Sequence, residues 1–265
     1  CRRHLRGSGQ GGLSCRCTWR KSGFRCACQK CGGALEYDYV HYGQLGAYRC
    51  PDCGWARPEL AFAATNVRLE EDGFVFDIDD RSVHTGHTGA YMVYNVLAAY
   101  AISKLSGIVS FENYQAAVRE YHPTNGRLQT FDLGERKVMT NLAKNPTGFN
   151  QNIRIVLNER GRVLALFVND NDADGHDVSW FWDIDFERWS QIEGLRAFVG
   201  GTRANDMQVR LKYAGIQAEI VENVADVLAA TRVDDGKVYI IANYTALPAV
   251  RRELEGLEAA AKGEE

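Results

Sequence analysis

Four of the eight cysteines form two C-x-x-C pairs whose spacing suits a metal ion. Cys28 and Cys31 make the first pair, and Cys50 and Cys53 make the second after 18 intervening residues. This separation is typical of a tetrathiolate zinc ribbon, in which two tight turns place four sulfur atoms about 2.3 Å from one ion. A glycine follows the second cysteine of each pair and permits the turn. The pattern predicts a closed, structural Zn²⁺ site.

Disulfides or free thiols are the alternative to a metal site. All eight cysteines precede residue 54, so disulfides could not staple the rest of the chain. Cys26 could replace Cys28 as a ligand, but this would break the matched spacing of the two pairs. Between the pairs, tyrosines alternate with other residues, and this alternation predicts short hairpin strands around the metal.

The composition excludes collagen, mucin and coiled-coil classes. It is 45% hydrophobic and 25% charged, which is typical of a globular protein. No segment approaches the roughly 18 apolar residues of a membrane span, and none has the pattern of a secretory signal. We therefore expect a cytoplasmic protein that does not span a membrane.

The charge is distributed unevenly along the chain. Residues 1–27 contain seven Lys or Arg residues and no acidic residue, so this head carries +7 and the remainder carries −10. We predict an unassigned basic leader without ordered structure. A zinc-ribbon module that binds nucleic acid through this head is an alternative, but the acidic remainder argues against a nucleic-acid partner. The chain begins with Cys1 rather than Met, and we expect a fragment.

A hairpin and an apolar helix follow the cysteines. Hydrophobic alternation on both sides of Asp72-Gly73 predicts two antiparallel strands joined by a tight turn. Gly89 then precedes a long apolar run that predicts a helix. The polar residue Asn95 lies within this run, where it is either hydrogen-bonded in the core or available to a ligand.

Polar residues follow two apolar strands in the second half of the chain. A strand at residues 137–140 leads into Asn141, Lys144 and Asn145 before an apolar helix. A second strand at 162–168 leads into residues 169–187, which we call the acidic loop. Ligands of such α/β units bind beyond the carboxyl ends of the strands. A later glycine turn, at residues 200–201, is either a plain turn or an anion site at a helix start.

The acidic loop contains seven acidic residues and no Lys or Arg, which is costly unless cations, hydrogen bonds or a partner compensate. Asp170, Asp172 and Asp174 match the first half of a calcium loop, but Phe181 stands where the bidentate Glu belongs. A solvated loop with capping carboxylates is another alternative. The adjacent aromatic residues at 180–182 favour a docking surface.

These segments resemble the Mur-ligase and folylpolyglutamate synthase superfamily, and within it the MurT family. The resemblance rests on the cysteine pairs, on Tyr-Asn-x-Leu-Ala-Ala in the helix, and on D-N-x-A-D-G-x-D-V-S-W-x-W-D in the acidic loop. It implies an α/β fold: part of the Mur-ligase central ATPase domain over residues 28–123, with a four-cysteine zinc ribbon inserted at 28–58, followed by a Rossmann-like C-terminal domain over 124–265.

The resemblance also implies a nucleotide site that uses ATP and Mg²⁺. In this superfamily the helix asparagine, here Asn95, lies beside the adenine, and Arg127 and Asn141 approach the nucleotide. Lys144 and Asn145 then line the side of the acyl phosphate. Relatives commonly carry D-x-A-H where this chain has Asn141-Leu-Ala-Lys144. The P-loop sequence G-x-x-x-x-G-K-[ST] is absent from the 265 residues, so we expect no turnover by this chain alone.

Finally, the resemblance implies a function in peptidoglycan synthesis. The MurT family amidates the D-glutamate α-carboxyl of lipid II to D-isoglutamine at the inner face of the membrane, with ammonia from a GatD-type class I glutamine amidotransferase. An aspartate is expected to complete the partner's Cys-His triad. Asp177 is the first candidate, followed by Asp174 and Asp183. A standalone amide ligase of the folylpolyglutamate synthase type is the alternative.

Overall fold

The computed structural model describes residues 26–42, 45–122 and 126–263. Apart from its last two residues, the predicted basic leader lies outside the described residues. The chain divides into two compact units, and the division falls between Glu120 and Tyr121. The predicted boundary lies three residues further along the chain.

The first unit begins with a two-stranded antiparallel hairpin, β1 (Glu36–Tyr42) and β2 (Leu45–Arg49). This confirms the hairpin strands predicted between the cysteine pairs. One isolated bridge closes each of the two cysteine turns. We call residues 26–58 the cysteine hairpin.

A three-stranded antiparallel sheet and two helices complete the first unit. The strands are β3 (Thr65–Glu70), β4 (Gly73–Ile78) and β5 (Arg81–Thr85), with β4 in the centre. The helices are α1 (Tyr91–Ser106) and α2 (Phe111–Glu120). The predicted hairpin and the predicted apolar helix are both confirmed.

The core of the first unit lies between this sheet and the two helices. Phe76 and Ile78 of β4 are fully buried against apolar side chains of α1 and α2. The hydroxyl of Tyr114 donates a hydrogen bond to the Val96 carbonyl (2.9 Å), which joins the two helices inside the core. Burial of each such large side chain contributes about 1.5–3 kcal/mol to stability.

The second unit is built on a six-stranded sheet. Its strands are β6 (Gln129–Asp132), β7 (Lys137–Leu142), β8 (Val163–Phe167), β9 (Arg196–Gly200), β10 (Ala218–Ile220) and β11 (Val238–Ala242). The strand order is β10-β9-β8-β11-β7-β6, and every neighbouring pair is parallel except β6 with β7. The predicted α/β class is thereby confirmed.

Helices cover both faces of this sheet. The α-helices are α3 (Pro146–Asn158), α4 (Ala204–Tyr213), α5 (Val224–Ala230) and α6 (Leu247–Lys262). Three 3-10 helices occupy Ser179–Asp183, Phe186–Gln191 and Val233–Asp235. Within the described part of the chain, no helix has both the length and the apolar character that a membrane crossing requires.

The two faces are covered by different helices. α5 and α6 pack together over the face that carries Val163, Ala165 and Phe167 of β8. α3, α4 and the first two 3-10 helices contact one another, and they cover the face of Leu164 and Leu166, because successive side chains of a strand point to opposite faces. The segments that follow β7 and β8 therefore cover one face of the sheet. The segment that follows β11, the strand between them, covers the other face. Such a reversal opens crevices at the carboxyl ends of the strands.

A buried arginine on α4 holds the two 3-10 helices of the acidic loop. The Nε atom of Arg210 donates to the Phe181 carbonyl (3.0 Å), and an Nη atom donates to the Ile184 carbonyl (2.6 Å). The same guanidinium pairs with Glu187 (3.0 Å) and lies over the Phe186 ring. One side chain thus adds a second donor to two carbonyls that each already accept from a backbone N–H.

We expect Arg210→Met to lower the free energy of unfolding of the second unit by about 3 kcal/mol, because it removes two charge-assisted hydrogen bonds to backbone carbonyls and leaves Glu187 without its cation. Lys262→Met is the matched control, since its ion pair with Glu258 is largely exposed and should change stability by less than about 1 kcal/mol. Urea denaturation of both variants measures the difference. Equal effects would show that Arg210 has no special structural role.

Candidate functional site

The sulfur atoms of Cys28, Cys31, Cys50 and Cys53 lie together in the cysteine hairpin, all within 4.8 Å of one another. The Sγ atoms of Cys28 and Cys53 are 3.6 Å apart, and those of Cys31 and Cys50 are 3.5 Å apart. Sulfur atoms around one tetrahedral zinc ion are about 3.8 Å apart, given Zn–S bonds of about 2.3 Å. The group could hold one metal ion. In the described ranges, no other group of three His, Cys, Asp or Glu side chains comes this close.

The turns that carry these cysteines are closed by glycine, as the sequence predicts. Gly32 (φ +77°) and Gly54 (φ +74°) adopt the left-handed conformation that glycine tolerates best. Burial raises the pKa of the Cys28 thiol, but hydrogen bonds from the N–H groups of Lys30 and Cys31 outweigh it and lower the pKa to about 7. At Cys28 the thiolate, which is the form that binds metals, is favoured accordingly. At Cys31 a hydrogen bond from the backbone lowers the pKa, but hydrogen bonds with the other thiols of the group outweigh it and raise the pKa to about 12.

We expect purified chain to contain one metal ion and Cys50→Ser to lose most of it, because a structural site needs all four ligands. The hairpin should then unfold at a lower temperature. Cys26→Ser is the matched control, since Cys26 lies outside the group of four and should retain the metal. Elemental analysis gives the stoichiometry. Metal loss in Cys26→Ser would instead favour the alternative ligand set.

The crevice between β8 and β11 is closed by the protein's own amide groups. The side chain of Asn243, directly after β11, accepts from the Asn169 N–H (3.1 Å) and donates to the Asn169 carbonyl (2.7 Å). These bonds continue the pairing of the two strands past their ends. They leave no space for a ligand between the two backbones at this point.

Asp174 fastens the acidic loop to the turn after β11. The N–H of Thr245 donates to one carboxylate oxygen of Asp174 (3.1 Å), and the Thr245 hydroxyl bonds to the other. The side-chain amides of Asn169 and Asn171 donate to the same hydroxyl at 3.0 and 2.8 Å. Asp174 is therefore a structural anchor of the loop.

The glycine turn, which the sequence offers as a possible anion site, bonds to residues of the chain itself. The Thr202 N–H donates to the side-chain oxygen of Asn169 (3.0 Å). The Asp170 carboxylate accepts from the Thr202 hydroxyl (2.7 Å) and pairs with Arg203 (2.7 Å), both at the start of α4. Asp170 and Asp174 engage different partners, so the calcium-loop alternative has no shared ligand group within the described loop.

The pKa of Asp170 is lowered below 3.8 by the hydrogen bond from Thr202, with a further contribution from Arg203 that opposes desolvation. A lowered folded-state pKa adds stability above the unfolded pKa, and this stability is lost as the pH falls through the folded value. We expect Asp170→Asn to lower the melting temperature at pH 7 and to flatten its decline between about pH 5 and pH 2. Asp172→Asn, at a fully exposed carboxylate, should do neither.

Asp177 and Asp183 remain exposed at the surface of the loop. The Asp177 carboxylate accepts from the Ser179 N–H (2.8 Å), at the start of the first 3-10 helix. This hydrogen bond, together with the Ser179 hydroxyl, lowers the pKa of Asp177 and keeps it ionised. Asp183 ends the same helix. Both carboxylates are accessible to another molecule, unlike the anchored Asp174.

The three aromatic residues beside these carboxylates have different roles. Trp182 is 55% exposed and packs edge-on against Tyr213 of α4, which is 74% exposed. Phe181 is buried in the core, and Trp180 packs against Phe149 of α3. The prediction that all three form a docking surface is wrong for Phe181, because the short helical turn directs it inward. Tyr213 lies beside Trp182 on the exposed surface, and the sequence analysis did not identify it.

Positive charge lies beyond the carboxyl ends of β7 and β11, at the position that we call the crevice between β7 and β11. Lys144, just after β7, places its Nζ atom 4.6 Å from the centre of the Tyr244 ring, just after β11. A hydrogen bond from Lys144 lowers the pKa of Tyr244, and the charge of Arg127 adds to this effect. Neither cation forms an ion pair with an acidic residue of the described chain. The sequence analysis did not include Tyr244 among the candidate site residues. Its position directly after a central strand could have indicated it.

Asn141, one of the predicted nucleotide contacts, has a structural role. Asn141 was expected after the strand but lies within β7 and is buried. Its side chain accepts from the N–H of Leu128 (3.1 Å) and donates to Asn152 (2.7 Å). Because Leu128 has φ +52°, this bond supports a strained turn that presents Arg127. The amide group of Asn141 is thereby occupied, so the prediction of a direct ligand contact is not supported.

Asn145 and Asn95 are the two remaining residues of the predicted nucleotide site. The side chain of Asn145 caps α3 by accepting from the Gly148 N–H (2.8 Å), with Pro146 in the first helical position. Asn95 lies on an exposed face of α1, so the alternative of an asparagine inside the core is wrong. Its position leaves the amide accessible to a ligand.

The fold has the Mur-ligase-like α/β architecture. It matches the structure of a pseudomurein peptide ligase type C from Methanothermus fervidus with a TM-score of 0.63, 18% identity, and coverage of 88% of this chain and 49% of that chain. The UDP-N-acetylmuramate-alanine ligase MurC from Thermotoga maritima matches with a TM-score of 0.56, 13% identity, and coverage of 75% and 46%. At these identities the likeness shows the fold alone.

Within this class, the sequence is similar to MurT. Residues 142–247 match the family described as MurT ligase C-terminal. Over 230 residues the chain is 34% identical to the MurT subunit of lipid II isoglutaminyl synthase (glutamine-hydrolyzing) from Staphylococcus aureus, covering 86% of this chain and 52% of that protein. The predicted resemblance to MurT is confirmed, and the chain spans about half the length of the curated relatives it matches.

Proposed function

We propose that this chain is the MurT-like part of a glutamine-dependent ligase that amidates the D-glutamate α-carboxyl of lipid II to D-isoglutamine. The observation that carries the proposal is the match to the MurT C-terminal family over residues 142–247. That range contains the acidic loop, Lys144 and Tyr244. The amidation would take place in the cytoplasm, at the inner face of the membrane, where the lipid substrate is accessible.

The acidic loop is proposed to serve a GatD-type glutaminase partner. In such a partner a Cys thiolate attacks glutamine, and a His takes and returns the proton. A carboxylate that accepts from the far nitrogen of the His ring fixes its tautomer and stabilises the imidazolium. Asp177 suits this role because it is exposed and its pKa is lowered. Asp174 suits it less, because Thr245 occupies both of its carboxylate oxygens.

The crevice between β7 and β11 is proposed to face the activated substrate. ATP with Mg²⁺ would supply the phosphoryl group that activates the carboxylate for attack by ammonia. Lys144 and Arg127 lack acidic partners in the described chain, so their charges are available to a phosphate or carboxylate. The Tyr244 ring holds the Lys144 ammonium at the mouth of the crevice. Asn95 is proposed to lie beside the adenine.

The metal of the cysteine hairpin is proposed to be Zn²⁺. Four thiolates with tetrahedral spacing are the ligand set that structural zinc sites prefer, and they leave no open position for a substrate or water. The hairpin would therefore stabilise the first unit and take no part in the chemistry.

Co-purification with a GatD-type glutaminase tests the proposal. We expect stable binding by the unmodified chain, and for Asp177→Asn we expect retained binding with glutamine hydrolysis reduced about 10³-fold or more, because the His loses its orienting carboxylate. Asp183→Asn is the matched control, at a second exposed carboxylate of the same loop, and should leave hydrolysis nearly unchanged. Asp174→Asn should weaken binding through the loosened loop rather than abolish hydrolysis in the complex.

The other outcomes are equally informative. Loss of hydrolysis in Asp183→Asn alone would assign the triad acid to Asp183. Absence of binding by correctly folded, metal-loaded chain would contradict the partner proposal. Partner-independent ligation with free ammonia would favour a standalone amide ligase of the folylpolyglutamate synthase type.

A further inference from the structure

A series of side-chain contacts leads from the cysteine hairpin to helix α1. An Nη atom of Arg57 donates to the hydroxyl of Tyr39 (2.8 Å), and the Tyr39 ring stacks on His41 with 4.8 Å between ring centres. The Nδ1 atom of His41 is hydrogen-bonded to the hydroxyl of Tyr94, and the two rings meet edge to face. Tyr94 lies in the first turn of α1, next to Asn95.

The first half of α1 lacks the local features that usually stabilise a helix start. Its N-cap residue is Ala90, which offers no side-chain cap, and no acidic residue occupies the first turn. A capping side chain typically contributes about 1 kcal/mol, and an acidic residue near the N-terminus contributes a few tenths more. This end of the helix therefore depends on tertiary contacts.

The second half of α1 is held independently of the cysteine hairpin. Asp79 accepts hydrogen bonds from both Tyr100 and Lys104. Gly107 ends the helix in the left-handed conformation, and its N–H donates to the Ser103 carbonyl (3.1 Å). A disturbance of the hairpin should therefore affect one end of α1 and spare the other.

The hairpin in turn depends on its metal. Among its described residues, Cys28 and Cys50 are the only side chains that are fully buried. A segment this small, without a hydrophobic core of its own, folds through its metal ligands. Removal of the metal should therefore release β1, and with it His41.

We propose that the metal-loaded cysteine hairpin positions the first half of α1 through the contact between His41 and Tyr94. Occupancy of the thiolate site is thereby transmitted along β1 to the helix that carries Asn95. The coupling goes beyond the proposed amidation and does not require it. Only its consequence for adenine binding rests on the proposed function.

Hydrogen exchange of the α1 amides tests the coupling in the full 265-residue chain without nucleotide or partner. In the unmodified chain, chelation of Zn²⁺ should speed exchange over residues 91–97 about fivefold or more, as expected for loss of one net hydrogen bond. Tyr94→Phe should show this faster exchange already with Zn²⁺ bound, and chelation should then add little. His41→Gln, a second variant, should behave in the same way.

Tyr100→Phe is the matched control on the same helix. It removes the hydrogen bond to Asp79 and should speed exchange in the second half of α1, while residues 91–97 keep their full response to chelation. Unchanged exchange over 91–97 after chelation, or a full chelation response in Tyr94→Phe, would overturn the proposal. Because no ligand or partner is present, either result leaves the proposed amidation untouched.

Discussion

The second unit is organised by strand β11, which is hydrogen-bonded to β7 on one side and to β8 on the other. The segment that follows β11 covers the face of the sheet opposite to the one covered by the segments that follow β7 and β8. β7 and β8 continue into helices on one face, whereas β11 continues into α6 on the other. The position of the turn after β11 relative to β7 and β8 follows from that reversal. The turn at residues 243–245 stands between two crevices: Asn243 and Thr245 close one, and Tyr244 borders the other with Lys144.

The concentration of negative charge after β8 is tolerated because three of its seven acidic residues are held by partners in neighbouring elements. Arg203 pairs with Asp170, Arg210 pairs with Glu187, and Thr245 donates twice to Asp174. These contacts fix both ends of the loop to neighbouring elements. The carboxylates of Asp177 and Asp183 are left exposed between these anchored segments, as the proposed contact with a partner requires.

The two units are stabilised in different ways. The sheet of the second unit is covered on both faces, and the central strands β8 and β11 are buried along their whole length. The first unit has a smaller core on one face of its sheet, and among the described residues of its cysteine hairpin only Cys28 and Cys50 are buried. Small units bury a smaller fraction of their surface, so a metal ion held by the four thiolates would contribute more to stability there.

The sequence by itself determined the features that depend on short-range spacing. The paired cysteines, the Asp72-Gly73 turn, the apolar helix α1 and the strands β7 and β8 follow from turn chemistry and hydrophobic periodicity, which act over a few residues. Tertiary structure alone decided the partners. It placed Tyr244 beside Lys144, joined Thr245 to Asp174, buried Asn141 and Phe181, and left Asn95 exposed. These outcomes depend on strand order and on which helix covers which face, and local sequence carries little information about contacts between residues far apart in the chain.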